Sequence, residues 1–160
     1  MGADLTHVDT WLFDLDNTLY PTTSGFMGEI ERRMTSYVER LTGLPRDEAY
    51  RLQKKYLAEY GLTLSGLIEH HGVDPAEYHA LFDDLPLESL AQSPELIAAI
   101  ERLPGRRLIF TNANDVHAER VLARLGLAHL FDDVFHIALS AYVPKPSRVA
   151  FERIDAAHGI

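Results

Sequence analysis

Three short runs rich in apolar residues, Trp11 to Phe13, Arg107 to Phe110 and Val134 to Leu139, are each followed by a stretch with helical periodicity. That alternation restricts the chain to few architectures. A strand that leads through a helix to the next strand makes a right-handed crossover, and repeating the unit builds a parallel sheet. Strands covered by helices on both faces read as unbroken apolar runs, as Trp11 to Phe13 does. In such sheets ligands gather outside the carboxyl ends of the strands. The residues that end these runs therefore carry the functional information.

Between the first run and the rest lies a region of a different kind. Phe26, Ile30, Met34, Tyr37 and Leu41 recur at three- and four-residue spacing, and Gly43 stands where that helix would stop. Pro45 can open a second helix, with Ala49, Leu52, Tyr56 and Tyr60 on one face and Gly61 at its end. Shorter helices are predicted over Leu64 to His71 and, after Asp74-Pro75, over Ala76 to Phe82. Residues 22–90 thus form an all-helical insert. Beyond it, Ser93-Pro94 opens a helix whose apolar face is Leu96, Ile97, Ile100 and Leu103, and Asp115 to Leu125 reads as a helix closed by Gly126.

The first run ends in Asp14 and Asp16, two positions apart. In an extended backbone such side chains point the same way, so both carboxylates emerge together where the strand stops. One carboxylate can attack phosphorus and its neighbour can handle the proton, while a divalent cation neutralises the crowded negative charge. The second run ends in Thr111 and Asn112, which can donate hydrogen bonds to phosphate oxygens, and Lys145 between two prolines supplies a compact positive charge. Each piece alone also fits an ordinary turn or a solvated lysine. Their order and their position at segment ends favour a phosphoryl-transfer site.

Phe13-Asp14-Leu15-Asp16-Asn17-Thr18-Leu19, then Phe110-Thr111-Asn112-Ala113, then Lys145-Pro146 resemble the first three motifs of the haloacid dehalogenase-like phosphohydrolases, over essentially the whole chain. Leu19-Tyr20-Pro21, with His117-Ala118 after the second motif, is similar to the pyrimidine 5'-nucleotidase-like branch. The resemblance implies a Rossmann-like α/β core over residues 1–21 and 91–160, and a helical cap over 22–90 that closes on the site. It implies that Asp14 becomes an aspartyl phosphate and that Asp16 protonates the leaving oxygen, then deprotonates water. Thr18 would shape the loop and, with Thr111, Asn112 and Lys145, bind substrate or phosphate. Tyr20, beside the catalytic loop, is the expected substrate contact. Magnesium would be held by Asp14, by Asp16 through its backbone carbonyl, and by an acidic residue of a fourth motif. Asp16 also argues against dehalogenase chemistry, since halide displacement needs no acid there.

The fourth motif is not found before Ile160, and Asp155 lies inside a helical pattern and is a poor substitute for it. The C-terminal part of the core is therefore expected to be missing. In the family's sheet the strand carrying that motif flanks the first one, so without it Trp11 to Leu15 would be an exposed apolar edge. At 160 residues and 46% hydrophobic content there is material for one sizeable core. The net charge of -9 argues against binding nucleic acid polymers or anionic membranes. With no cysteine, disulfides and thiol-ligated zinc are excluded. Met1 to Thr10 lacks the pattern of a signal peptide, and a cytoplasmic location is expected. Oligomeric state is not readable. His117 is near enough to the second motif to touch substrate, although a surface or helix-packing role accounts for it better, while His70 and His71 are adjacent and do not face one ligand.

The expected function is magnesium-dependent hydrolysis of a small phosphorylated metabolite, a pyrimidine nucleoside 5'-monophosphate on the branch resemblance. The alternatives are a phosphatase or phosphomutase for another sugar phosphate, and a noncatalytic phosphate-binding module.

Overall fold

The computed structural model describes residues 4–160. Three parallel strands, β1 (Thr10–Phe13), β2 (Arg106–Phe110) and β3 (Asp133–Phe135), lie in the order β1-β2-β3. Phe13 pairs with Ile109 and Phe110 with Phe135, so the carboxyl ends of the strands are level. Successive residues of β2 serve opposite faces. Ile109 joins a core with Ala118, Val121 and Leu125, whereas Phe110 and Phe135 pack with Ala150 and Ile154 on the other side. Those partners come from α6 (Asp115–Leu125) and α7 (Arg148–His158), which cover the two faces.

Between β1 and β2 the chain forms α1 (Phe26–Thr42), α2 (Arg46–Tyr60), α3 (Thr63–His71) and α4 (Pro75–Ala80), followed by α5 (Pro94–Glu101). The all-helical character of the insert agrees with the periodicity. Its first three helices pack closely. In α3 a Cβ on Gly66 would overlap the Tyr56 ring of α2, so only glycine lets the two helices approach this far. A buried polar link joins α1 to α2, where Thr35 Oγ1 donates to Gln53 Oε1 at 2.8 Å. Gly105 has a similar role at the entrance of β2: its φ is 78°, and any side chain there would strike the Asp9 carbonyl.

Helix ends follow their local chemistry. Ser93 accepts from the Leu96 amide at 3.2 Å to start α5, and Asn114 accepts from the His117 amide at 3.2 Å to start α6. The third strand is shorter than its apolar run. It ends at Phe135 rather than Leu139, because Ile137 N–H turns to the Ala113 carbonyl at 3.0 Å and the Ser140 hydroxyl bonds the Ile137 carbonyl at 2.9 Å. Local turn bonds replace the ladder there, and Ala141 and Tyr142 take positive φ. The tip of the insert also differs: α4 stops at Ala80, with turns through Phe82.

Among the described residues β1 pairs on one side only, and Leu12 is 38% exposed. No described helix is long and apolar enough to cross a membrane.

Candidate active site

β1 delivers its chain end into a tight turn. The Leu15 carbonyl accepts from the amides of both Thr18 and Leu19, at 3.2 and 3.0 Å, and Asn17 takes a left-handed φ of 58°. Asparagine tolerates that conformation better than most residues. Leu15 is buried in the core between the two aspartates, so Asp14 and Asp16 are left to line one cavity. The spacing predicts both carboxylates at the strand end, but β1 stops at Phe13 and the turn, not an extended strand, orients Asp16.

Each carboxylate is held differently. Asp14 Oδ1 lies 2.8 Å from Lys145 Nζ, and its Oδ2 accepts from the Thr18 hydroxyl at 3.0 Å. Its side chain is 46% exposed. Asp16 Oδ1 accepts from the Tyr20 hydroxyl at 2.7 Å and lies 2.9 Å from His117 Nε2. Burial, and then the negative charge of Asp16, push the Tyr20 phenol above its ordinary range, so it remains a proton donor. Asp16 Oδ2 has no partner among the described residues.

Lys145 is fixed from β2. Its backbone N–H donates to Asn112 Oδ1 at 2.8 Å, the Asn112 amide donates back to the Lys145 carbonyl at 3.3 Å, and its ammonium bonds the Phe110 carbonyl. Thr111 is buried and lines the cavity, and its hydroxyl oxygen accepts from the Ala113 amide at 3.0 Å, which leaves the hydroxyl hydrogen free to donate.

The structure thus brings Asp14, Asp16, Thr111, Asn112 and Lys145 together and revises three expected roles. The Asn112 side chain is committed to the Lys145 backbone, so its amide positions the lysine instead of meeting phosphate. Thr18 bonds Asp14 rather than a ligand. Tyr20, expected to touch substrate, is buried with its hydroxyl on Asp16, does not line the cavity, and serves the aspartate. His117 is the residue that sequence reasoning undervalued: it is 4% exposed, stacks on Phe26 at 5.9 Å, and reaches Asp16. The Asn114 cap that starts α6 is the local signal for its orientation. His70 and His71 bond different tyrosines, Tyr60 at 2.7 Å and Tyr56 at 2.9 Å. Asp155 is exposed on α7, away from the cavity.

The cavity holds about 280 Å³, just below the about 300–1,000 Å³ usual for ligand sites. Its floor is the core, with Asp14, Asp16, Thr111 and Asn112, and its wall is the insert, with Met27, Met34, Leu62, Tyr78, His79 and Phe82 among others.

Over residues 8–155 the chain matches the family described as haloacid dehalogenase-like hydrolase, and it belongs to that family. It is 30% identical over 165 residues to Phosphate metabolism protein 8 of Saccharomyces cerevisiae, with 94% of this chain and 51% of the yeast protein covered. The chain therefore spans about half the length of that relative. Among solved structures, the L-2-haloacid dehalogenase RSc1362 superposes with a TM-score of 0.57 at 20% identity, covering 97% of this chain and 74% of that one. The HAD-hydrolase YfnB from Bacillus subtilis, bound to magnesium, gives 0.52 at 17% identity, with 93% and 72% covered. At these identities the structural likeness is one of fold, and it agrees with the parallel α/β architecture.

Proposed function

We propose that this chain carries the phosphomonoesterase site of a magnesium-dependent phosphatase that works through an aspartyl phosphate. The observation that carries the reading is the convergence at one strand end: Asp14 faces Lys145 at 2.8 Å, while Asp16, in the same cavity, has one oxygen held by Tyr20 and His117 and the other free. Asp14 attacks phosphorus and the ester P–O bond breaks. The departing oxygen takes the proton carried by Asp16 on Oδ2. Water then attacks phosphorus, Asp16 accepts its proton, and the bond to Asp14 breaks to release phosphate. Lys145 and the Thr111 hydroxyl stabilise charge on the phosphoryl oxygens. Tyr20 and His117 both donate to Oδ1 when Asp16 is ionised, and so keep the proton exchange on the oxygen that faces the cavity.

Magnesium fits the donors present. Asp14 has lone pairs left beyond its bonds to Lys145 and Thr18, and the Asp16 carbonyl receives no hydrogen bond among the described residues. No group of three or more acidic, histidine or cysteine side chains converges among the described residues. Magnesium nonetheless binds through one or two protein oxygens and keeps several waters. When bound, it would neutralise charge on the phosphoryl group.

The substrate class follows the cavity. Its size suits a small ester, and the branch similarity of Leu19-Tyr20-Pro21 and His117 favours a pyrimidine nucleoside 5'-monophosphate. The insert over 22–90 acts as the cap that selects the leaving group. The name of the yeast relative agrees with phosphate chemistry. The similarity to dehalogenases extends to the fold, while Asp16 supplies an acid that halide displacement does not use.

A phosphomonoester panel assayed with and without magnesium tests this. Release of phosphate that needs magnesium and falls by at least about 10³-fold in Asp14→Asn is expected, as for loss of a covalent nucleophile. Release that survives the substitution removes Asp14 from the nucleophile role.

A further inference from the structure

The insert has a second recess on its outer side, opposite in electrical character to the chain around it. α1 gives Met27, Ile30 and Met34 to the catalytic cavity, and gives Arg32, Arg33, Ser36 and Arg40 to a groove of about 550 Å³ completed by Arg46 of α2 and by Leu81 and Asp84 after α4. The two recesses share no lining residue. In a protein with a net charge of -9, four guanidiniums line this groove against two carboxylates, Glu29 and Asp84. Pairing along a solvated helix face accounts for Arg32, which clasps Glu29 one turn away. It does not account for Arg46, which crosses from another helix, nor for Arg40, which is exposed and makes no hydrogen bond or ion pair among the described residues.

These guanidiniums are positioned without being used up. Arg33 Nη1 donates to the Leu81 carbonyl at 2.9 Å and also bonds Asp84, while its Nη2 has no partner among the described residues. Arg46 likewise spends only Nη1, on Glu39 at 2.9 Å and on Ser36 Oγ at 3.3 Å, so its edge formed by Nε and Nη2 stays open. Ser36 accepts that bond and keeps its own hydroxyl hydrogen to donate. A guanidinium is a rigid fork of N–H donors, and an open edge of that fork matches two oxygens of a phosphate.

We infer that this outer groove is a binding site for a small anion carrying linked phosphates, held by Arg33, Arg40 and Arg46 with the Ser36 hydroxyl as a further donor. Its volume lies within the about 300–1,000 Å³ usual for ligand sites, so two linked phosphates fit. Glu29 and Asp84 are both engaged by arginines, so the groove binds and does not react. Binding there needs none of Asp14, Asp16 or Lys145, and it holds whether or not the catalytic cavity turns over an ester.

Calorimetric titration of the whole chain with pyrophosphate, without magnesium and at fixed ionic strength, tests the site. Pyrophosphate should bind the parent, and combining Arg40→Gln with Arg46→Gln should weaken it about tenfold or more, as for the loss of charged hydrogen bonds. Lys145→Met, which removes the cation of the catalytic cavity, should leave this binding unchanged. Thermal unfolding identifies any loss that comes from misfolding. In that case Arg40→Gln alone, which breaks no bond of the fold, carries the comparison, with a loss of about threefold or more expected. ADP titrated beside pyrophosphate distinguishes the source of the phosphates: tighter binding of ADP assigns the site to an organic diphosphate whose body lies in the adjoining groove lined by Arg32, Arg46 and Tyr50, and equal or weaker binding assigns it to the inorganic anion. Three results overturn the inference. Pyrophosphate does not bind the parent; or its binding survives the arginine substitutions and is lost in Lys145→Met; or citrate binds as tightly as pyrophosphate, which marks a surface that answers to charge alone.

Discussion

Asp16 has a neighbour contributed from 101 positions away, and the sequence contains no sign of that pairing. The spacing of Asp14 and Asp16 marks two carboxylates at a strand end, but β1 stops at Phe13 and the turn bonded to the Leu15 carbonyl, not strand alternation, carries Asp16 into the cavity. The contact of His117 is not readable, because it depends on how a helix is docked rather than on its own periodicity. Tyr20 shows the same limit in the other direction: its place beside the loop was legible, but its burial turns the hydroxyl onto an aspartate. Two phenols at this scale give a pH prediction. Burial pushes Tyr78 above its ordinary value of 10.0, and Tyr20 is raised by burial first and Asp16 second. Both keep their protons in the fold at pH values where the unfolded chain has released them. The stabilisation is therefore complete below about pH 10 and is lost as pH rises beyond it. Urea unfolding at about pH 9 and about pH 11 should show that fall, and Tyr78→Phe should make it shallower. An unchanged slope in Tyr78→Phe counts against a raised phenol at that position.

The helices of the insert were legible to within a few residues, since an amphipathic stripe closed by glycine or opened by proline carries its own boundaries. β3 was not, because an apolar run cannot reveal that Ile137 will bond the Ala113 carbonyl and leave the ladder. Nor does composition reveal which glycine is a spacer. Gly66 and Gly28 both lie inside helices, but a methyl group at Gly66 meets the Tyr56 ring, whereas at Gly28 the nearest atom is the flexible Arg32 Nη1 at 3.6 Å. Alanine gains about 1 kcal/mol of helix propensity at either site. At Gly66 overpacking of about 1–3 kcal/mol outweighs it. The ring has little room to yield, since it stacks on His70 at 5.1 Å and its hydroxyl bonds His71. Gly66→Ala should therefore lower the urea midpoint, and Gly28→Ala should leave it unchanged or raise it. Midpoints that move together would show that α2 and α3 do not need this approach.

At the scale of the molecule, the described sheet leaves β1 open along one side, with Leu12 exposed. Unpaired backbone beside apolar side chains is a template for another strand. The 160-residue chain is expected to associate with itself as concentration rises, and Leu12→Lys is expected to reduce this in light scattering. A monodisperse monomer at high concentration in the unsubstituted chain would refute it. The parallel topology itself was legible from the order of strands and helices, and with it the end of the sheet where the chemistry gathers. The expected closing of the helical insert on the site left open which residues of the two parts share the cavity, and that needed the structure. The carboxylates of Asp14 and Asp16, the Thr111 hydroxyl and the Lys145 ammonium project from the sheet side, and Met27, Met34, Leu62, Tyr78 and Phe82 project from the helical layer opposite. On the proposed phosphatase reading, changes confined to residues 27 to 82 redirect such a protein to new molecules while its reactive end stays as it was, so that diversification requires no reinvention of the reaction.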